Sequence, residues 1–309
     1  MSTAFLGTSE FAAAILERLS AGAAHRPALV ITRPDRPRGR GRRLASPPVA
    51  EKARALGIEL EQPADVNGPL TSALLARVAP DTVVVCAFGA LIKEPLLSQH
   101  ELLNVHPSLL PRWRGAAPIE RAIMAGDVQT GVSIMRLTAG LDSGPVCLSA
   151  SEPIAPADTY GSLVPRIQAL AGELLVRALE ESPPFIEQAE DGVTYAEKIG
   201  PADRLLDPAR PAAELERLVR ALTPHIGARV ALADGTLLGV HRAALADSHD
   251  VGADGGGESG SAPGLITRDG RLLLVSSSGA LELLEVQPPG GVAMEASSFL
   301  RGHGLPSRL

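Results

Sequence analysis

Two polar residues, Asn104 and His106, stand two positions apart at the end of an apolar segment. A third, Asp142, lies between Gly140 and Gly144, which is a setting typical of a tight turn. A histidine can take or give a proton near neutral pH, and a carboxylate can orient an imidazole and stabilise its charged form. An asparagine amide can donate a hydrogen bond to an oxygen that becomes negative. None of the three is an evident covalent nucleophile, so the set suits direct attack of a substrate amine on a carbonyl.

The same residues also have an ordinary structural explanation. A histidine at a strand end can close a loop, an asparagine can satisfy backbone groups, and an aspartate between glycines is a common turn residue. The pattern alone therefore leaves a catalytic and a structural interpretation open.

Strand and helix patterns alternate around these residues. The strand segments are residues 3–7, 28–32, 82–88 and 101–106, and the helical segments are residues 9–22, 47–57, 69–79 and 115–126. This alternation predicts βαβ units and a parallel sheet, which is an α/β fold. Ligands bind outside the carboxyl ends of the strands in such sheets. Asn104 and His106 are therefore predicted to share one face at the binding edge, because side chains two apart on a strand point the same way.

The pattern changes in the second half of the chain. Two strands flank the Asp142 turn as a hairpin, and a long helix follows at about residues 158–181. The segment 181–211 is rich in proline and mixed in charge, as linkers are. One helix at residues 212–222 then precedes several short strands, which predict a small β-barrel. The predicted domains are a catalytic domain at residues 1–189, a linker at 190–207 and a C-terminal domain at 208–309.

An arginine-rich segment follows the second predicted strand. Between Thr32 and Leu44 lie six arginines and one aspartate, a local formal charge of +5 in a chain whose net charge is −6. The prolines and glycines of this segment predict a loop and exclude a regular helix or strand. Arginines pair with phosphate through two parallel hydrogen bonds. A solvated surface loop without a ligand is the alternative explanation.

The composition limits the class of protein. The chain has 309 residues, of which 45% are hydrophobic, enough for two domains with sizeable cores. Its two cysteines lie in apolar runs without metal spacing, which indicates a reducing compartment and no metal site. No segment has the pattern of a signal peptide or a transmembrane helix, so we expect a cytoplasmic protein. The negative net charge gives no overall reason to expect a nucleic-acid partner.

Several long segments resemble the methionyl-tRNA formyltransferase family. The longest and most specific covers residues 104–146, and the others are residues 5–12, 32–49, 87–92 and 194–199. The resemblance extends along nearly the whole chain. It implies a Rossmann-like formyltransferase domain with a parallel sheet, joined to a smaller C-terminal OB-like β-barrel that binds tRNA.

The resemblance also implies an activity and the residues that perform it. The formyl group of 10-formyltetrahydrofolate would pass to the α-amine of initiator methionyl-tRNA, for translation initiation, on a monomeric protein without a metal. The implied catalytic residues are Asn104, His106 and Asp142. The implied folate-binding residues are Phe88, Gly89, Ala90, Leu91, Ile92, Ser108, Leu109, Leu110, Pro111 and Gly140. The implied tRNA-binding residues are Arg36, Arg38, Arg40, Arg42 and Arg43.

Three other functions are compatible with the same polar residues. A formyltransferase for a small amine, such as glycinamide ribonucleotide or an amino-sugar nucleotide, would use the same asparagine, histidine and aspartate. A folate hydrolase or dehydrogenase module would replace the amine by water, but no dehydrogenase domain follows in this chain. A non-catalytic RNA-binding protein would have no need for an intact polar set. The arginine-rich segment and residues 194–199 favour a tRNA acceptor.

Overall fold

A computed structural model describes residues 2–38, 43–232, 234–247 and 263–303. The chain forms two compact units, and each is made of separate stretches of sequence. The first unit comprises Met1–Pro118, Gln129–Pro153 and Val164–Glu197, and the second comprises Ile119–Val128, Ile154–Leu163 and Lys198–Leu309. Two short stretches that precede residue 164 thus belong to the C-terminal unit, which a division by composition alone does not detect.

The described residues form the following elements. The strands are β1 (Thr3–Gly7), β2 (Leu29–Ile31), β3 (Arg36–Arg38), β4 (Arg43–Ala45), β5 (Glu59–Glu61), β6 (Thr82–Cys86), β7 (Leu102–His106), β8 (Arg114–Gly115), β9 (Gln129–Arg136), β10 (Val146–Pro153), β11 (Tyr195–Ala196), β12 (Ala228–Ala231), β13 (Leu237–Leu245), β14 (Gly264–Arg268), β15 (Arg271–Val275), β16 (Ala280–Gln287) and β17 (Met294–Glu295). The helices are α1 (Glu10–Ser20), α2 (Pro48–Leu56), α3 (Pro69–Val78), α4 (Leu96–Gln99), α5 (Pro118–Ala125), α6 (Tyr160–Glu181), α7 (Ala212–Leu222) and α8 (Ala296–His303), with a 3₁₀ helix at Ala202–Arg204.

A seven-stranded sheet in the order β10-β9-β7-β6-β1-β2-β5 forms the centre of the first unit. Its five strands from β7 to β5 are parallel. All residues of β1, β6 and β7 are buried, which is the reason their sequences are nearly continuous apolar runs. From β1 the chain first adds β2 and β5 on one side of the sheet and then adds β6 and β7 on the other side. The strand order therefore reverses at β1. The predicted Rossmann-like α/β fold is confirmed.

Helix ends in this unit follow local sequence signals. The Ser9 hydroxyl accepts a hydrogen bond from the backbone N–H of Ala12 at 3.3 Å and so caps α1. Pro48 and Pro69 stand in the first turns of α2 and α3, where their missing N–H is not needed. Gly57 ends α2 with a φ of 65°, a conformation that glycine adopts without steric cost.

The predicted irregular loop in the arginine-rich segment is wrong. Residues Arg36–Arg38 and Arg43–Ala45 form a two-stranded antiparallel hairpin, with Pro37 opposite Leu44. The hairpin has no further neighbouring strand among the described residues, so a proline that cannot donate to a ladder is tolerated in it. The described residues stop at 38 and resume at 43, so the hairpin tip lies outside them.

A six-stranded antiparallel sheet forms the second unit. Its order is β12-β13-β16-β15-β14, with β17 paired to β16. Alternate residues of these strands point inward and pack with the apolar face of α7, where Leu215, Leu218 and Leu222 are buried. This antiparallel half-barrel is consistent with the predicted OB-like domain.

The described residues contain neither a membrane-spanning helix nor a cluster of metal ligands. No helix among them is both long enough and apolar enough to cross a membrane. Within the same ranges, no three or more histidine, cysteine, aspartate or glutamate side chains are grouped as a metal site would need.

Candidate active site

The three polar residues singled out in the sequence meet at the carboxyl edge of the parallel sheet. Asn104 and His106 lie on β7, and Asp142 lies in the turn between β9 and β10. Nδ2 of Asn104 donates to Oδ1 of Asp142 at 3.3 Å, and Nδ1 of His106 is 3.6 Å from Oδ2. All three side chains are largely shielded from solvent, so their mutual electrostatic interactions are stronger than at an open surface.

The turn that carries Asp142 is sterically constrained. Asp142 has a φ of 43°, in the left-handed region that non-glycine residues rarely adopt. The backbone N–H of Gly115 donates to its Oδ2 at 2.8 Å and fixes the carboxylate. A Cβ on Gly144 would lie 2.0 Å from the Arg136 carbonyl oxygen, so only glycine fits there. Gly140, at the start of the turn, is exposed.

The second nitrogen of the His106 ring is held by the loop that follows β7. Nε2 of His106 lies 2.8 Å from the carbonyl oxygen of Trp113. Trp113 has a φ of 64°, and its own N–H donates to Oγ1 of Thr194 at 2.9 Å. The histidine thus has a defined partner at each ring nitrogen.

A segment near residue 190 completes the surroundings of the site. Strand β11 pairs in parallel with β8, with Tyr195 beside Arg114 and Ala196 beside Gly115. The sequence predicts a linker that begins at residue 190, whereas these hydrogen bonds place residues 194–196 against the site loop. The pairing joins residues about eighty positions apart, and no local periodicity indicates it.

The segment implied to bind folate, residues 87–92, follows β6. Phe88 and Ile92 are buried, whereas Gly89, Ala90 and Leu91 are exposed. The loop is thus anchored by two apolar side chains and presents its middle residues outward.

Side chains from three neighbouring elements hold residues 87–92 through their carbonyl oxygens. The hydrogen bonds run from Oγ1 of Thr8 to Phe88 (2.7 Å), from Nη1 of Arg33 to Gly89 (2.9 Å) and from Nδ2 of Asn67 to Leu91 (2.9 Å). Arg33 was counted in the sequence only as part of the basic charge, and Thr8 and Asn67 were not singled out. These three donors are recognised only once the bent backbone of residues 87–92 is known, because its carbonyl oxygens need hydrogen-bond donors.

The second implied folate segment, residues 108–111, follows His106 directly. Ser108 is buried, and its carbonyl oxygen accepts from Oγ of Ser133 at 2.8 Å. The same Ser133 oxygen accepts from the backbone N–H of Leu110 at 3.1 Å. The Leu109 side chain packs over Gly131, and a Cβ at position 131 would lie only 2.6 Å from the Leu109 side chain. Strand β9 therefore fixes this loop, and Leu109, Leu110 and Pro111 remain partly exposed.

The arginines of the β3–β4 hairpin are only partly described. Arg36 and Arg43 are exposed on the two strands. Arg40, Arg42 and the side chain of Arg38 lie outside the described residues.

Asp35, the acidic residue of this segment, is held at the base of the hairpin by side chains outside the arginine-rich segment. It accepts hydrogen bonds from Gln62 at 2.8 Å and Ser46 at 3.0 Å. The Gln62 hydrogen bond is the main reason that the pKa of Asp35 lies below its usual value, with Ser46 and the charge of Arg54 adding to it. The carboxylate is therefore engaged at the base of the hairpin by Gln62 and Ser46.

Neither cysteine is suited to be a nucleophile. Cys86 ends β6 and is fully buried, and burial raises the pKa of its thiol. Burial also raises the pKa of the half-buried Cys147. Since a thiolate is the reactive form, both thiols are held in their unreactive state.

The Rossmann-like sheet and the Asn104, His106 and Asp142 side chains at its carboxyl edge fit the class of formyl transferases. Two family models match the chain, "Formyl transferase" at residues 1–179 and "Formyl transferase, C-terminal domain" at residues 198–304. The chain belongs to the methionyl-tRNA formyltransferase family.

Individual relatives agree with this assignment. A methionyl-tRNA formyltransferase of Symbiobacterium thermophilum is 43% identical over 307 residues, covering 97% of this chain and 92% of the relative. One from Ruegeria pomeroyi is 40% identical over 310 residues, covering 99% and 98%. Among solved structures, HypX from Aquifex aeolicus in complex with tetrahydrofolic acid has the same fold, with a TM-score of 0.61 and 18% identity over 98% of this chain and 48% of that chain.

Proposed function

We propose that the protein transfers the formyl group of 10-formyltetrahydrofolate to the α-amino group of initiator methionyl-tRNA. The observation that carries this is the meeting of Asn104, His106 and Asp142 in a chain that matches methionyl-tRNA formyltransferases over nearly its full length. Such a reaction serves translation initiation in the cytoplasm, and we propose that the protein performs it as a monomer without a metal.

The chemistry needs no covalent intermediate with the protein. Amines of this kind titrate near pH 7.7–8.0, so a substantial fraction is neutral at physiological pH and can attack the formyl carbon. The carbon–nitrogen bond to the amine forms, and the carbonyl oxygen becomes an oxyanion. The bond to the folate nitrogen then breaks, and the proton lost by the amine passes to that nitrogen. We assign this proton movement to Asp142 and His106.

The oxyanion is assigned to Asn104 and the charge of His106. An asparagine amide has two N–H groups, and one of those of Asn104 is directed to Asp142. The second can donate to the developing negative oxygen. A protonated His106 beside it adds a positive charge, which is most effective in a site shielded from water.

The donor site is assigned to residues 87–92, residues 108–111 and Gly140. These segments lie at the carboxyl ends of β6 and β7 and in the Asp142 turn, which is the binding edge of an open α/β sheet. Their hydrogen bonds to Thr8, Arg33, Asn67 and Ser133 support a preformed pocket.

The RNA acceptor is assigned to the β3–β4 hairpin and to the second unit. We propose that Arg36, Arg38, Arg40, Arg42 and Arg43 bind its phosphates. The charge of this segment supports the proposal, because its six arginines exceed its single aspartate by a formal charge of +5. The proposed division remains a catalytic domain at residues 1–189, a linker at 190–207 and an RNA-binding domain at 208–309.

A cleft on the second unit supports an anionic ligand there. It has a volume of about 560 Å³, and none of the described residues that line it is acidic. It contains Arg204, Arg229 and His241. Burial, and then the charge of Arg229, lower the pKa of Arg204, and a bound anion would offset the effect of both.

The deciding experiment supplies a formyl donor labelled at the formyl carbon to three acceptors. These are methionyl-tRNA, glycinamide ribonucleotide and an amino-sugar nucleotide. We expect label on the α-amine of methionyl-tRNA only. Label on either small amine and none on tRNA would overturn the proposed acceptor while keeping the transfer chemistry.

A further inference from the structure

Gln188 lies beside the catalytic turn, and its side chain hydrogen-bonds to backbone carbonyls of that turn and to Arg114. Just before it, Ile186 forms an antiparallel bridge with Val146, with reciprocal backbone hydrogen bonds of 2.8 and 2.9 Å. Moving two residues along each antiparallel segment brings Gln188 opposite Gly144. The bridge therefore delivers the side chain of Gln188 to the turn that carries Asp142.

Every hydrogen-bonding position of the Gln188 amide is used. Its Nε2 donates to the carbonyl oxygens of Asp142 at 2.8 Å and Gly144 at 2.7 Å. Its Oε1 accepts from Nε and Nη2 of Arg114 at 3.0 and 2.8 Å. Carbonyls only accept and a guanidinium only donates, so the amide has one permitted orientation.

These contacts join the two loops that position the His106–Asp142 pair. The first is the Asp142 turn itself, held in a left-handed conformation that persists only where its surroundings determine it. The second is the loop on either side of Arg114, in which the Trp113 carbonyl meets His106 and the Gly115 N–H meets the Asp142 carboxylate.

From this geometry we infer that Gln188 is a positioning residue for the transfer reaction, which acts by holding the Asp142 carboxylate at its working distance from His106 and Asn104. The inference rests on the proposed function. Arg114 is bound to Gln188 on two of its nitrogens and belongs to the support of the site.

The test compares Gln188→Ala and Gln188→Glu with the full-length wild-type protein. Gln188→Ala removes all four hydrogen bonds, and Gln188→Glu keeps the acceptor for Arg114 but turns an oxygen toward the two carbonyls. Misplacement of a catalytic group by about 1 Å costs on the order of 100-fold in rate. We expect kcat to fall by about 10- to 100-fold in both variants, with KM for the formyl donor changed less than about 2-fold. Glu187→Ala, an exposed neighbour on the same segment, is the matched control and should keep the wild-type kcat.

A double-mutant cycle separates positioning from a general structural effect. If Gln188 acts through Asp142, then Gln188→Ala should change kcat by less than about 2-fold once Asp142→Asn is present, because residues that act as a unit are not additive. Losses that multiply fully in the double variant would overturn the inference. So would equal losses in Glu187→Ala.

A crystal structure of Gln188→Ala gives a readout that does not depend on the acceptor. We expect the Asp142 carboxylate to lose its hydrogen bond from the Gly115 N–H, which measures 2.8 Å in the intact protein. An unmoved carboxylate would refute the positioning role, whichever amine the protein uses. Absence of label on methionyl-tRNA with the wild-type protein would instead refute the proposed function alone.

Discussion

The carbonyl oxygen of Trp113 lies 2.8 Å from Nε2 of His106. A carbonyl oxygen can only accept a hydrogen bond, so Nε2 carries a proton. The other ring nitrogen, Nδ1, faces the Asp142 carboxylate at 3.6 Å. The loop backbone and the carboxylate together hold the imidazole at both of its ring nitrogens and so fix the orientation of the ring.

Removal of either oxyanion-stabilising side chain should abolish most of the turnover. We expect His106→Ala and Asn104→Ala each to lower kcat for methionyl-tRNA by about 100-fold or more, the scale of losing one oxyanion donor. KM for the folate donor should change little, because neither group is assigned to donor binding. Initial rates across donor concentrations check both values. Near-wild-type turnover in His106→Ala would exclude the mechanism.

A methyl group at Gly115 should disturb the site through the backbone. Gly115 has a φ of 125°, and a Cβ there would lie 2.7 Å from the carbonyl oxygen of Ala196. We expect Gly115→Ala to lower the free energy of unfolding by about 1–3 kcal/mol and to lower kcat, because its N–H then moves away from Asp142. Urea unfolding and rate assays measure the two effects. Gly22→Ala is the matched control, since a Cβ at Gly22 meets nothing within 4 Å. Equal stability of the two variants would contradict this account.

The arginines of the hairpin should make RNA use sensitive to salt. Each arginine that neutralises a phosphate releases counterions, so affinity falls with salt concentration. We expect Arg40→Ala to weaken use of methionyl-tRNA by about 10-fold or more, the scale of one charge-assisted contact. Arg43→Ala should lower the salt slope by up to about one unit if it contacts phosphate.

The control for the hairpin variants is Arg177→Ala on α6, where the arginine pairs with Glu181. Rates at three salt concentrations decide the matter. If Arg40→Ala formylated methionyl-tRNA normally and with a flat salt response, the assignment of the hairpin to RNA would fail.

The stability of the second unit should depend on pH through Asp203. This carboxylate accepts from the Gly200 N–H at 2.8 Å and pairs with Arg121 at 3.0 Å. The Gly200 hydrogen bond, followed by Arg121, lowers the pKa of Asp203 below its usual value, against a smaller opposing effect of burial. A group whose pKa is depressed on folding contributes stability above its unfolded pKa, and that contribution disappears as pH falls through the folded pKa.

Asp203→Asn should therefore be less stable than the wild type at pH 7, and the difference should shrink toward pH 3. Urea unfolding at both pH values measures it. Asp191→Asn, an exposed site in the first unit, should show no such pH-dependent difference. A constant gap between Asp203→Asn and the wild type at both pH values would exclude the linkage.

Local patterns predict the strands and helices that position the site. The two-residue spacing of Asn104 and His106 on an apolar strand is enough to place both side chains on one face, and the flanking glycines mark Asp142 as a turn residue. Burial on both faces leaves apolar runs in β1 and β6 that are visible in the sequence.

Pairings between distant residues are not predicted in the same way. The Val146–Ile186 bridge, which delivers Gln188, joins two short segments without a periodic pattern. The β3–β4 hairpin was missed because proline and glycine usually interrupt strands, yet an isolated pair of three-residue strands tolerates them. Charge counting likewise does not show that Arg33 is hydrogen-bonded to Gly89.

The contact between Gln188 and Asp142 spans 46 positions of the chain. During synthesis at about 5–20 residues per second, a ribosome takes roughly 2–9 s to add those residues. The nascent chain therefore carries Asn104, His106 and Asp142 for several seconds before the residue that ties their loops together has been made. On the inferred role of Gln188, the two catalytic loops are joined only by a segment that is synthesised after them and contains none of the catalytic side chains.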